Sequence, residues 1–180
     1  MKCRSVLVTV PGYPFSIKTL LPNSRLASLA ASLEEAGHSA RILDYGVLET
    51  LERLMPKGMR TTAQTLAMRA FGDTPMRSLS TLSAVWKLRT MARRLRARQS
   101  VLHAEIAQAL ADEQPDFAVF LVETANDLAG AIAIATRLQK LLPSVRTAAI
   151  GDFIESYGER IAANQNVLDG LCGLYPERTL

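Results

Sequence analysis

The stretch from Ser5 to His38, SVLVTVPGYPFSIKTLLPNSRLASLAASLEEAGH, changes character twice and so narrows the folds open to the chain. Val6, Leu7, Val8 and Val10 are apolar almost without alternation, the pattern of a strand buried on both faces of a parallel sheet. From Pro22 to Ala36, Leu26, Leu29, Ala30 and Leu33 recur at i, i+3, i+4 and i+7, with Glu34 and Glu35 outside and Gly37 at the C-terminal cap position. A second short strand follows from Ala40 to Leu43, with Asp44 at its end. This β-α-β unit predicts a right-handed crossover, with Ser5–Val10 as the central strand. The loop from Pro11 to Leu21 is long for its place, since such connections usually need about two to six residues.

The last third repeats the grammar. Phe117–Val122 reads as a buried strand, and the following helix begins where Thr124 or Asn126 can cap it and ends at Pro143, with Arg137 and Lys140 near its negative end. Val145–Asp152 is a weaker strand, FIESYGERIAAN a helix, and NVLDGLCGLY a strand at the edge. Alternation of this kind predicts an α/β fold, a doubly wound, Rossmann-like open sheet of about five parallel strands. Residues 47–113 interrupt it with almost no β-branched runs and form a helical insertion between strands two and three. Within it LETLERLM ends at Pro56 and TAQTLAMRAF at Gly72. A long helix carries Leu79, Leu82 and Trp86 along one face, and Ser100 is placed to cap a further helix leading back to the sheet.

With 180 residues and 48% apolar content, one domain spanning 1–180 is expected to bury a single core. No apolar run approaches a membrane span and the run behind Met1 is too short for a signal peptide, so the expected location is the cytoplasm. Cys3 and Cys172 form no CxxC pair, which excludes a zinc or iron-sulfur site built within the chain. There is no GxGxxG after the first strand, no GxxxxGK[ST] and no GxSxG. His38 reads as a turn residue and His103 as a helix-surface residue, so no catalytic residue and no metal ligand is assigned.

Four loops should meet at the carboxyl edge of such a sheet, where open α/β folds bind ligands. They are Pro11-Gly12-Tyr13-Pro14, then Glu123-Thr124-Ala125-Asn126, then Gly151-Asp152-Phe153, and finally Gly170 to Glu177. Helix N-termini at Asn126 and near Ile154 add N–H groups to a broad platform.

VLVTVPGYPFSIKTLLPNSRLASLAASLEEAGHSARILDY resembles the opening of the cobalamin (vitamin B12)-binding domain of B12-dependent radical SAM enzymes, with its strand, proline loop, Leu/Ala helix, Gly-His turn and strand ending in Asp. QPDFAVFLVETANDLAGAIAIATRLQKLLPSVRTAAIGDF is similar to the family's third and fourth strand units. At the C-terminus Asp169, Glu177, Thr179 and Leu180 keep the landmarks of a segment written GEGExTL, from which Leu174, Tyr175 and Pro176 depart. The resemblance covers residues 5–46 and 114–180 and leaves most of the insertion unmatched.

The resemblance implies that the platform holds a corrin ring, with the nucleotide tail reaching down beside the sheet. The cofactor-binding residues it implies are Pro11, Gly12, Tyr13, Pro14, Glu123, Thr124, Asn126, Gly151, Asp152, Phe153, Leu174, Tyr175 and Glu177. The full enzyme, a methyltransferase on this reading, would act on a small-molecule or peptide substrate. Its [4Fe-4S] cluster and S-adenosyl-L-methionine would sit in a radical SAM domain that this chain lacks, so the chain is expected to be an excised domain that binds without catalysing. Other B12 carriers use DxHxxG, which neither Asp152–Gly158 nor Asp44–Gly46 provides, so no histidine is expected to ligate the cobalt.

KLRTMARRLRAR, from Lys87 to Arg98, carries six positive charges opposite Leu88, Met91 and Leu95. Without interleaved aromatics it reads as a solvated helix face, with Trp86 as a packing anchor, and a nucleic-acid partner is not expected. Two further functional classes stay open: a nucleotide- or sugar-nucleotide-binding Rossmann half that needs a second half, and an interaction or sensor module whose insertion helices bind a partner.

Overall fold

The computed structural model describes residues 2–11, 23–71 and 79–173. Five parallel strands form one open sheet in the order β2-β1-β3-β4-β5. They are β1 (Arg4–Thr9), β2 (Ser39–Asp44), β3 (Phe117–Leu121), β4 (Arg146–Ile150) and β5 (Gly170–Cys172). The architecture is the doubly wound α/β arrangement that the strand-helix alternation predicts. β1 is interior, but β3 holds the middle of the sheet, so the expectation that the first strand is central is corrected. The chain groups into two compact units, Met1–Val47 with His103–Leu180, and Leu48–Leu102.

In the first unit, α1 (Ser24–Glu35) starts at Asn23, whose side chain accepts from the N–H groups of Arg25 and Leu26. It stops where Gly37 turns to φ +82°, a conformation that a Cβ disfavours. α5 (Ala125–Leu141) is capped by Thr124, not Asn126, in a reciprocal capping box with Asp127. α6 (Asp152–Ala162) has Gly151 as its cap residue and no side-chain cap bond.

Strand alternation sorts the core into two faces. Leu7, Leu121 and Ile150 pack with Leu26 of α1, joined by Leu29, Ala30, Leu33 and Val119. The residues between them in the strands, Val6, Val8, Ala118, Phe120 and Ala149, are fully buried on the other face. That division follows from handedness: β1 to β2 steps in one direction across the sheet and β3 to β4 to β5 in the other, so right-handed crossovers put α1 on one face and α5 and α6 on the opposite one.

The amino edge is stitched by charge. Glu113 accepts from Arg4 at 2.7 Å and also from Arg41, and Asp116 accepts the backbone N–H of Arg4 at 2.8 Å. Asp169, which the family resemblance places after the fifth strand, instead directly precedes β5 and lies at this edge, so that expectation is corrected. Its carboxylate accepts from the N–H of Thr147 at 2.8 Å, from the Thr147 hydroxyl at 3.1 Å and from Arg146 at 3.0 Å.

The second unit contains α2 (Leu48–Leu54), α3 (Lys57–Phe71) and the first part of α4 (Leu79–Asp112). Leu66 and Ala84 are buried together, with Val85, Leu88 and Met91 against them. Arg98 donates to the carbonyl of Leu54 at the end of α2, 3.3 Å away, where a cation complements the helix dipole. Ser100 does not begin a new helix, because α4 runs unbroken through it for 34 residues. No Gly or Pro interrupts that span, and a serine without a breaker beside it does not end a helix. No described helix is long and apolar enough to cross a membrane.

Hydrogen bonding from the Thr147 N–H, ahead of the cost of burial and the pull of Arg146, holds the Asp169 carboxyl below its ordinary value. A depressed folded-state value gives stability that is present above the unfolded pKa and is lost as pH falls through the folded one. Asp169→Asn is expected to cost about 1 kcal/mol at pH 7 and to flatten the stability loss below about pH 4. Urea denaturation at both pH values measures this, and parallel wild-type and variant acid profiles would contradict it.

Candidate functional site

Because all five strands run the same way, the segments after β1, β3, β4 and β5 all leave from one edge of the sheet. Of the residues expected to bind there, the structure describes Pro11, Glu123, Thr124, Asn126, Gly151, Asp152 and Phe153; Gly12, Tyr13, Pro14, Leu174, Tyr175 and Glu177 lie outside the described residues.

Pro11 is buried where the chain leaves β1. The next two loops are drawn together by Arg25, in the first turn of α1: its guanidinium is 2.8 Å from a carboxylate oxygen of Asp152 and 4.0 Å from one of Glu123. Sequence reading misses Arg25. Its signal is a cation in a first helical turn, where the helix dipole disfavours positive charge and a partner must compensate.

Thr124 is committed to its own backbone, its hydroxyl accepting the Asp127 N–H at 3.2 Å. Asp127 in turn accepts from the N–H groups of Glu123 and Thr124, at 3.2 and 2.8 Å. Burial raises its pKa above the carboxylate norm, and hydrogen bonding from the Thr124 side chain and from the N–H groups of Glu123 and Thr124 acts against the rise. Asn126 is exposed beside them. The Phe153 ring lies along α6 against Tyr157, with centroids 4.9 Å apart.

Gly151 sets the shape of the edge. Its φ is +137°, and a Cβ placed there would run into the carbonyl oxygen of Val122. Only glycine lets β4 turn into α6 this close to the end of β3. Gly151→Ala is expected to cost about 3 kcal/mol by adding backbone strain to a backbone clash. A change in the urea midpoint corresponding to less than about 0.5 kcal/mol would show that the turn tolerates a side chain.

Beside α1 the same edge continues into a groove of about 790 Å³. One wall is the helix, with Ser24, Ser28 and Ser32 one above another and Leu29 and Leu33 between them. The floor is the sheet: Phe117 and Val119 of β3, Ala148 and Ile150 of β4, and Cys172 of β5. It runs from Arg25 and Gly173 at the loop edge to Cys3 and His38 at the opposite edge. Phe117, 40% exposed, marks how little covers the floor on this face.

His38 lies at the amino edge, and His103 lies near Val10, just past the end of β1. His38 accepts the Cys3 N–H through Nδ1 at the amino edge, the turn role expected of it. His103 is not a surface residue: it is half-buried against Gly130 of α5, where a Cβ would lie 3.5 Å from its Nε2 and 2.6 Å from Val10. Burial, with a smaller contribution from Arg137, lowers its pKa. At the end of β1, Thr9 donates to Asp44 and accepts from the N–H groups of Tyr45 and Gly46. Among the described residues no group of three or more His, Cys, Asp and Glu side chains is gathered so as to hold a metal ion.

Comparison with protein families, curated proteins and solved structures finds no match for this chain.

Proposed function

We propose that this chain is a cobalamin-binding domain and that it serves a radical SAM methyltransferase domain carrying the [4Fe-4S] cluster and S-adenosylmethionine. The observation that carries the reading is the groove. A cobalamin needs a broad surface for the corrin and a long slot beside it for an aromatic base on a ribose phosphate. The groove, at about 790 Å³, falls in the range of small-molecule and cofactor sites.

The lining suits that division of labour. Phe117, Val119, Ala148 and Ile150 offer an apolar floor to a flat aromatic group, while the serines of α1 offer hydroxyls to a sugar. Gly151 keeps the β4 loop low, and Arg25 holds Glu123 and Asp152 in fixed positions, so the rim is ordered before a ligand arrives. When bound, cobalamin would supply a cobalt centre able to carry a methyl group or pass through low oxidation states. The chain's own part is to bind and orient it.

Protein mixed with hydroxocobalamin and desalted is expected to keep a visible corrinoid spectrum. His38→Ala and His103→Ala should leave that spectrum unchanged. Ser28→Phe, which fills the groove from the helix side, should reduce retention at least tenfold with the far-ultraviolet circular dichroism preserved. A colourless wild-type protein after desalting would sink the proposal.

A further inference from the structure

The charge of the chain is divided unevenly between its two units. Residues 48–102 hold eleven Lys and Arg against three Asp and Glu, a surplus of eight, whereas the whole chain has 21 against 17, which leaves the remainder four negative. Within the basic unit the cations concentrate on α4. Lys87, Arg89, Arg93, Arg94 and Arg96 are exposed, and none forms an ion pair among the described residues.

Trp86 decides what kind of surface this is. It is 69% exposed, so the expectation that it anchors packing is corrected, and an exposed aromatic stands at the head of the basic stretch. Ala84, Leu88 and Met91 make the buried side of this part of α4. Trp86, Arg89, Arg93 and Arg96 stand at i, i+3, i+7 and i+10 on the outer side, one stripe on a 3.6-residue helix. The three arginines span about 10 Å along the axis.

We propose that this stripe of α4 binds single-stranded nucleic acid, the arginines on successive phosphates and the Trp86 indole under a base. A guanidinium pairs bidentately with phosphate, and an exposed indole beside a cationic track is the arrangement that stacks bases without reading their sequence. A membrane surface fits less well. The exposed apolar residues Leu82 and Trp86 sit at one end of the stripe, and Arg89, Arg93 and Arg96 fill the positions that an interfacial helix gives to hydrocarbon contact. The proposal does not rest on cobalamin binding and is tested without it.

Trp86 is the only tryptophan, so the emission of the full chain reports on it alone. Titration with fifteen-residue oligouridylate and oligothymidylate in low salt is expected to quench that emission with either or both. The logarithm of the binding constant should fall with the logarithm of salt concentration with a slope of about −2, the value for three phosphate contacts on a single strand. Arg89→Gln/Arg93→Gln should weaken binding at least tenfold and Trp86→Ala about fivefold, both followed by the anisotropy of a labelled oligonucleotide. Arg160→Gln, on α6, should change it less than twofold. Circular dichroism checks that each variant is folded. The proposal is overturned if neither oligonucleotide quenches Trp86, if the α4 variants bind as the wild type does, or if phosphatidylglycerol vesicles shift the emission while the oligonucleotides do not.

Discussion

Five strands running in one direction put every carboxyl end on one edge, and right-handed crossovers then dictate which face each helix covers. With the order β2-β1-β3-β4-β5, only β1 to β2 steps one way, so α1 lies on one face of the sheet and α5 and α6 on the other. Leu26 seals its contact with Leu7, Leu121 and Ile150, and the floor beyond that contact, from Phe117 to Cys172, is left as a groove. Loops and groove are therefore two results of one topology. They meet at Arg25, which belongs to the helix wall and holds the β3 and β4 loops through Glu123 and Asp152. These pairs are partly exposed, so their contribution to stability is small, and their consequence is mainly positional.

The backbone pattern was largely legible. Unalternated Val6, Leu7 and Val8 announce a strand buried on both sides, Gly37 a helix stop, and Thr124 or Asn126 a cap, which the capping box with Asp127 assigns to Thr124, because each of these signals is local and is decided within a few residues. The spatial ones were not. Nothing near Arg25 in the sequence names Asp152, 127 residues away. The sequence places His103 on a helix surface because the gap that receives it is made by Gly130, on another helix. Trp86 was read as an anchor because large aromatics are usually buried, whereas the buried stripe of α4 passes through Ala84, Leu88 and Met91 instead. The candidate site divides in the same way: that the loops after β1, β3, β4 and β5 share one edge follows from counting strands, while the groove depends on which part of a sheet face stays bare.

The two units also differ electrically. The sheet unit carries charges of both signs and pairs Arg4 and Arg41 with Glu113, Arg146 with Asp169 and Arg25 with Asp152, whereas the helical unit leaves a row of arginines facing solvent. Paired charges fix positions, and unpaired ones of a single sign create a field that selects for polyanions. The proposed cofactor and the proposed polyanion thus call on separate parts of the chain by separate physics, an apolar slot in one and an uncompensated charge track in the other.

The central claim is that the groove beside α1 takes the nucleotide part of a cobalamin, and Cys172 on its floor allows a direct test. The rate at which a maleimide labels Cys172, read from the mass of its peptide, can be compared without ligand, with cyanocobalamin, and with cobinamide, which has the corrin but no nucleotide. The account predicts that cyanocobalamin slows labelling at least tenfold and that cobinamide does not. Equal rates under all three conditions, or equal protection by both corrinoids, would contradict it.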